Sequence, residues 1–312
     1  MDLIDISKLQ GWHDDQDEVA AVAAQQAYPL IAGALGATGQ PGIGKGKRAL
    51  LYEYLYKARG GTTPDAYNYR VQAIGDCVSF GMARALDILL AILCHEGQAT
   101  WEQEFATEPI YALGRVEIGK GRLGNQDGCV GAWAAEAVKK YGTLLRKKYG
   151  NHDFTTYSGA KAKELGSPRK GLPDELEPEA RLKPVGMISL VTTWEGRGDG
   201  VGSGYPETIA SNCGFSQRRD AQGFLQRSGS WNHQMCVIAT DDTGSRPGAC
   251  IAQSWPRGWV SGPTRLNMPL DAFWADADVV EKYILRQQDS WAVSNLNGLA
   301  PNTPLLGDDL FN

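Results

Sequence analysis

Gln72-Ala-Ile-Gly-Asp-Cys77-Val-Ser-Phe80 runs straight into Gly81-Met-Ala-Arg-Ala-Leu-Asp-Ile-Leu-Leu-Ala-Ile-Leu-Cys94, and the join between the two decides how this chain is read. A glycine turn delivers one cysteine to the first turn of a long apolar helix. Unpaired backbone N–H groups and the helix dipole favour a thiolate there. Cys77 is therefore the candidate nucleophile, and a nucleophilic thiol needs a base. Downstream, Gly229-Ser-Trp-Asn-His233-Gln-Met-Cys-Val-Ile-Ala-Thr-Asp241 places a histidine at the head of an apolar strand, and Ala252-Gln253-Ser254-Trp255 supplies a carboxamide beyond it. A cysteine, a histidine and a carboxamide are the residue types that can serve as a nucleophile, its base and the group that orients the base.

Composition bounds the alternatives. With 312 residues, 42% hydrophobic and 21% charged, the chain has length enough for one large domain or two lobes and an ordinary globular balance. A net charge of -5 argues against a nucleic-acid or anionic-membrane partner. No uninterrupted apolar run reaches the roughly 18 residues that span a bilayer. The opening residues carry Asp2, Asp5, Asp14, Asp15 and Asp17 where a secretory signal would be basic and then apolar. The expected location is therefore the cytoplasm or a virion. Six cysteines without a CxxC pair suggest reduced thiols rather than a disulfide framework or a metal site, and no metal or cofactor is expected.

Along the chain, residues 16–35 are alanine-rich with an acidic start and predict a helix broken near Pro29. The glycine-rich loop 36–47 mimics the spacing of a phosphate-binding loop, but Gly46 stands where a hydroxyl should bind magnesium, so a flexible linker is the better reading. Gly60-Gly-Thr-Thr-Pro64 breaks structure ahead of the nucleophile segment. Ala132–Gly142 reads as a helix with a glycine stop, and residues 150–184 as a polar surface segment joining two lobes. After residue 184 the period becomes strand-like, at 185–191, 207–212, 233–240, 249–255, 280–285 and 290–294. Helices first and strands later give an α+β fold.

These motifs together resemble the papain-like cysteine peptidases. Cys77-Val-Ser-Phe80 is similar to the family's Cys-x-Ala/Ser-Phe. His233 before Met-Cys-Val-Ile resembles its His-Ala-Val strand. Gln253-Ser-Trp-Pro-Arg-Gly-Trp259 resembles Asn-Ser-Trp-Gly-x-x-Trp, and Cys129-Val-Gly131 leading into a helix that ends Tyr141-Gly142 resembles the turn that lines the family's substrate cleft. The resemblance implies a two-lobed fold, with a helical lobe over about 61–184 and an antiparallel β lobe over about 185–294. Residues 1–60 would be an N-terminal extension and 295–312 an extended tail. It implies Cys77 as nucleophile, His233 as general base and acid, Gln253 orienting the imidazole under Trp255, and Gln72 in the oxyanion hole. Gly128, Gly131 and Trp255 would line the cleft. The family's usual partner for the cysteine at 129 would stand at residue 74, which is Ile74, so that disulfide must be absent.

Departures from the pattern keep a second reading open. Gln72 lies five residues before Cys77 where the family has six, Gln253 replaces asparagine, and Asp76 beside a thiolate would raise its pKa unless its carboxylate turned away to cap the helix. A papain-like structural module with a decayed site is the competing class. Cys94, Cys236 and Cys250 in apolar runs read as small buried hydrophobes, and His13, His95 and His152 as surface histidines. The extensions at both ends suggest assembly partners, as in a phage particle. The expected partner of an active site is a peptide or protein substrate.

Overall fold

The computed structural model describes residues 6–38 and 41–296. The C-terminal tail from 297 onward, and Asp2 and Asp5, lie outside the described residues. Helix α4 (Cys77–His95) is the axis of the molecule: every residue from Cys77 through Leu93 is buried. By length and composition it could cross a membrane, yet it is packed on all sides within the chain. Its two charged residues are matched rather than solvated. Asp87 pairs with Arg70 and with Arg84, and Arg70 and Arg59 reach Glu104 at 3.2 and 2.9 Å. Pairing of this kind is what permits charge inside a core.

The sheet has seven strands: β1 (Arg48–Ala49), β2 (Val185–Leu190), β3 (Glu207–Phe215), β4 (Arg227–Asp241), β5 (Gly248–Ala252), β6 (Phe273–Asp276) and β7 (Trp291–Leu296). They run in the order β2-β7-β3-β4-β5-β6, antiparallel throughout, with β1 added to the end of β4. Helix α4 lies across β4. Glycine makes that approach close, since a Cβ on Gly81 would sit 3.0 Å from the Met235 carbonyl oxygen. Helices α5 (Thr107–Ala112) and α6 (Gly131–Lys140) pack on α4 to complete the helical lobe. The chain is thus α+β, with a helical layer against an antiparallel sheet.

Several expectations change. The stretch before residue 61 packs into the same core as the rest: Trp12, Val19, Val22, Leu51, Tyr52 and Leu55 are all buried with it. The break expected near Pro29 is present, with α1 (Gln16–Ala24) and α2 (Ile31–Thr38) on either side of it. The described part of the glycine-rich loop, residues 41–47, is not a flexible linker but a fixed turn. Asp199 accepts the N–H groups of Gly42 and Gly44 at 2.6 and 2.8 Å, and Asp242 accepts that of Gly46 at 2.8 Å. The donors a phosphate would need are thereby held by carboxylates of the protein. Residues 150–184 are not merely a surface connection, because Phe154, Leu172, Leu176 and Ala180 join Ala106, Leu113, Ala137 and Leu144 in a second small core, and Ala162 belongs to the main one. The strand expected at 280–285 is helical: Val280, Ile284 and Leu285 are buried and Lys282 and Tyr283 exposed, a helical repeat that overrides the β-branched composition.

Candidate active site

Cys77 opens α4 and is fully buried. Its sulfur accepts the backbone N–H of Gln234 at 3.5 Å, which fixes it against β4. His233, the preceding residue of β4, pairs with Ser211 across the sheet and is also fully buried. Its ring stacks on Trp255 with centroids 4.2 Å apart and 25° between planes, and Trp231 and Trp259 pack edge-on against the same indole at 4.6 and 4.8 Å. The nucleophile and base of the sequence reading therefore sit at adjacent points of one helix–sheet junction, but neither ring nitrogen of His233 has a hydrogen-bond partner. The two groups are not paired.

Burial sets their ionisation. It pushes the Cys77 thiol up to about 12, opposed by the Gln234 N–H and reinforced by the neighbouring Asp76. It pushes the His233 imidazole down to about 3. A neutral thiol beside a neutral imidazole is the form this environment favours. Asp76 does not cap the helix. Its Oδ2 accepts the Tyr157 hydroxyl at 2.9 Å while Oδ1 has no partner, and burial raises its carboxyl well above the usual range.

Two assigned side chains are engaged elsewhere. Gln253 does not hold His233: its amide Nε2 donates to the Tyr69 hydroxyl at 2.9 Å and its oxygen accepts the Trp255 backbone N–H. The extra methylene relative to asparagine carries the carboxamide past the imidazole and onto these partners. Gln72 is anchored by the Ser254 hydroxyl at 2.6 Å, and its Nε2 donates at 2.8 Å to the carbonyls of both Leu9 and Ile74. Its N–H groups are thus taken by the chain itself.

The Leu9 contact belongs to a feature the sequence reading missed. Residues 6–13 form a strap through the site. The N–H groups of Gly11 and Trp12 donate to the Asn232 carbonyl at 3.1 and 3.4 Å, Cys129 N–H donates to Gly11 O at 2.8 Å, and His13 N–H donates to Cys129 O at 3.0 Å. Trp12 and Cys129 make a parallel bridge, and Asn232 N–H returns a bond to Gln10 Oε1 at 3.0 Å. Gly11 lies close enough to Cys77 for its N–H, though donated to Asn232, to oppose the rise of the thiol's pKa. A Cβ at Gly11 would run into the Gly75 carbonyl, so only glycine passes this point. Gly128 and Gly131, expected to line the cleft, flank the Cys129 that the strap pairs with. A side chain at Gly128 would strike His13. Trp12 turns inward, 2% exposed, and donates its indole N–H to Asp289 Oδ2 at 2.7 Å. No spacing rule marks such a strap, because its pairing uses backbone groups that every residue carries.

All six cysteines are free. The fold is papain-like. Over 94% of this chain and 93% of the other, the structure is similar to xylellain, a cysteine protease from Xylella fastidiosa, with a TM-score of 0.54 at 15% identity. Over 95% of this chain and 87% of the other it is similar to a procathepsin B from Trypanosoma congolense, with a TM-score of 0.54 at 9% identity. At these identities the likeness is one of fold. No protein-family model matches the sequence, and no curated protein matches it.

Proposed function

We propose that the chain is a papain-like thiol hydrolase of peptide or related amide bonds, held latent by its own residues 6–13. The observation that carries this reading is the strap: Leu9 O occupies the Gln72 amide, and Gly11 and Trp12 are bonded by their backbones to Asn232, the residue before His233, and to Cys129 of the cleft turn. With the strap out, Gln72 Nε2 loses the Leu9 carbonyl and, with the Cys77 backbone N–H, can stabilise an oxyanion. His233, re-solvated, takes the thiol proton as the sulfur attacks the carbonyl. It then returns the proton to the departing amine, leaving a thioester on Cys77 that water hydrolyses.

A decayed structural module is the second reading, favoured by the two unpartnered nitrogens of His233 and by the engagement of Gln253 with Tyr69 and Trp255. Assembly through the termini has no comparable support, since the described part of the N-terminal extension packs on the chain's own core. The two readings separate in the full chain bearing Gly11→Val, which cannot seat the strap. The hydrolase reading expects Cys77 alkylation by iodoacetamide to accelerate at least tenfold over wild type and a casein-derived peptide mixture to be cut, both lost on adding His233→Ala. Alkylation indifferent to His233→Ala, with no cleavage, would establish the structural module.

A further inference from the structure

Where the first turns of α4 cross β4 and the end of β5 lies a cavity of about 20 Å³, room for one water-sized particle. Arg70 and Arg84 give its lining positive charge, Gln234, Gln253 and Ser254 give it neutral polar groups, and Phe80 forms part of its apolar wall. Carboxylates are too few around it. Arg59, Arg70 and Arg84 share Asp87 and Glu104, and the adjoining Arg146 holds Glu108 at 3.1 Å. Among the described residues, four guanidiniums thus meet three carboxylates. Burial raises the Asp87 carboxyl, so acid widens the excess instead of closing it. The other titratable neighbours of Arg84, the Tyr67 phenol and the Cys236 thiol, are pushed up by burial and stay neutral.

The deficit falls on one side chain. Arg70 uses all three of its nitrogens, on Glu104, the Phe105 carbonyl and Asp87. Arg84, only 6% exposed, donates Nη2 to the Asn68 carbonyl at 2.5 Å, while its Nη1 stands 3.5 Å from Asp87 Oδ2 and makes no hydrogen bond. A buried guanidinium N–H without an acceptor is costly, and an anion in the adjoining cavity supplies one. Size selects the anion. Phosphate, sulfate and carboxylate groups each bring several heavy atoms, more than a cavity for one water-sized particle holds. A chloride ion is monatomic, accepts N–H groups, and carries one charge, which equals the excess. We propose that this cavity is a chloride-binding site, with Arg84 and Arg70 as the recognising groups. The bound ion braces the side chains that frame the nucleophile, because Gln234 also donates its backbone N–H to the Cys77 sulfur at 3.5 Å and Ser254 donates to Gln72 at 2.6 Å. It does not depend on whether the cleft cuts peptides.

The test is chloride binding by the full wild-type chain, read as the width of the chloride NMR line at constant ionic strength. Broadening beyond that of a protein-free sample is expected, reversed by added bromide and not by sulfate, which the cavity is too small to take. No excess broadening, or equal reversal by bromide and sulfate, overturns the proposal. Arg84→Met keeps an unbranched side chain and deletes its charge. It is expected to lower the excess broadening about tenfold, the worth of one hydrogen bond to a charged group. Broadening that survives in a folded Arg84→Met places the ion elsewhere and overturns the proposal. If that variant does not fold, wild-type crystals grown in bromide decide the matter. An anomalous peak within hydrogen-bond reach of the Arg84 guanidinium supports the site, whereas bromide found only elsewhere, or none, overturns it. None of these readouts requires hydrolysis, so this site and the reading of Cys77 as a nucleophile stand or fall separately.

Discussion

The thiol of Cys77, pushed up to about 12, and the imidazole of His233, pushed down to about 3, share one cause in the burial the strap completes. Wild-type Cys77 should therefore alkylate more slowly than a free cysteine between pH 6 and 9 and speed up only in more alkaline solution. In Gly11→Val the half-maximal rate should fall below the roughly 8.5 of a free thiol; a pH–rate profile of iodoacetamide labelling, unchanged between the two proteins, would refute the strap as the cause. Gln253 shows how far residue identity can be read. Its motif placed it correctly in the chain, but one methylene moved its hydrogen bonds from the imidazole to Tyr69 and the Trp255 backbone. Gln253→Ala is accordingly expected to cost stability, about 1–3 kcal/mol in urea unfolding for the buried groups left unpaired. In the Gly11→Val background it should change peptide turnover by no more than about twofold. A large loss of turnover at unchanged stability would restore the orienting role. Cys77 and His233 were legible because a helix start and the apolar run after the histidine are local signals, although β4 begins at Arg227, six residues before His233. Asp289 and Trp12 were not, since their meeting depends on chain segments separated by more than two hundred residues.

At the scale of elements, what the sequence displayed was periodicity, and what it concealed was pairing through the backbone. Helix α4 announced itself by an apolar run between a glycine turn and a charged end, and α6 by its glycine stop. Strand β6, four residues among turns, offered too short a repeat to see. The strap has no repeat at all. The stop after α6 can be tested by itself. Gly142 has φ +73°, and a Cβ there would collide with the carbonyl of Ala180, a residue of the second small core. A non-glycine residue meets both a left-handed backbone and an immovable neighbour. Gly142→Ala should therefore lower the stability of the whole chain by more than about 1 kcal/mol, the ordinary cost of the backbone conformation alone. Gly150→Ala, also at positive φ but with open space around it, should cost less. Equal denaturation midpoints for the two variants would show that the α6 stop is not braced by that core.

Across the whole molecule, α4 and the sheet form one continuous core, and residues 6–38 and 41–60 close over it from outside the region that the peptidase-like motifs occupy. One charged pair lies within that closure with few hydrogen bonds to offset it. The helix Trp194–Gly202 carries Arg197, whose guanidinium stacks 3.6 Å over Trp194 and donates Nη2 to Thr240 at 3.0 Å, leaving Nε and Nη1 unpartnered. The opposite charge that acts on it most is Glu207 of β3, both of whose oxygens lack a partner. Burial pushes the Glu207 carboxyl up to about 8 despite the nearby Arg197, and lowers the Arg197 guanidinium to about 10. The sign of the pH dependence follows. Between about 4.5, its unperturbed value, and about 8, the folded chain holds a proton on Glu207 that the unfolded chain has released. Unfolding therefore gains ground as pH rises through that window, and the contribution is fully present only below it. Glu207→Gln keeps the shape and hydrogen-bonding size of the protonated acid but cannot ionise. The wild type and the variant should unfold at similar urea concentrations near pH 4.5, and the wild type should fall behind by an amount on the order of a few kcal/mol as pH approaches 8. Because every other titrating group is common to both proteins, the difference between the two profiles isolates this one carboxyl. A gap that stays constant from pH 4.5 to 8 would mean that Glu207 is ionised in the folded chain and paired with Arg197 throughout.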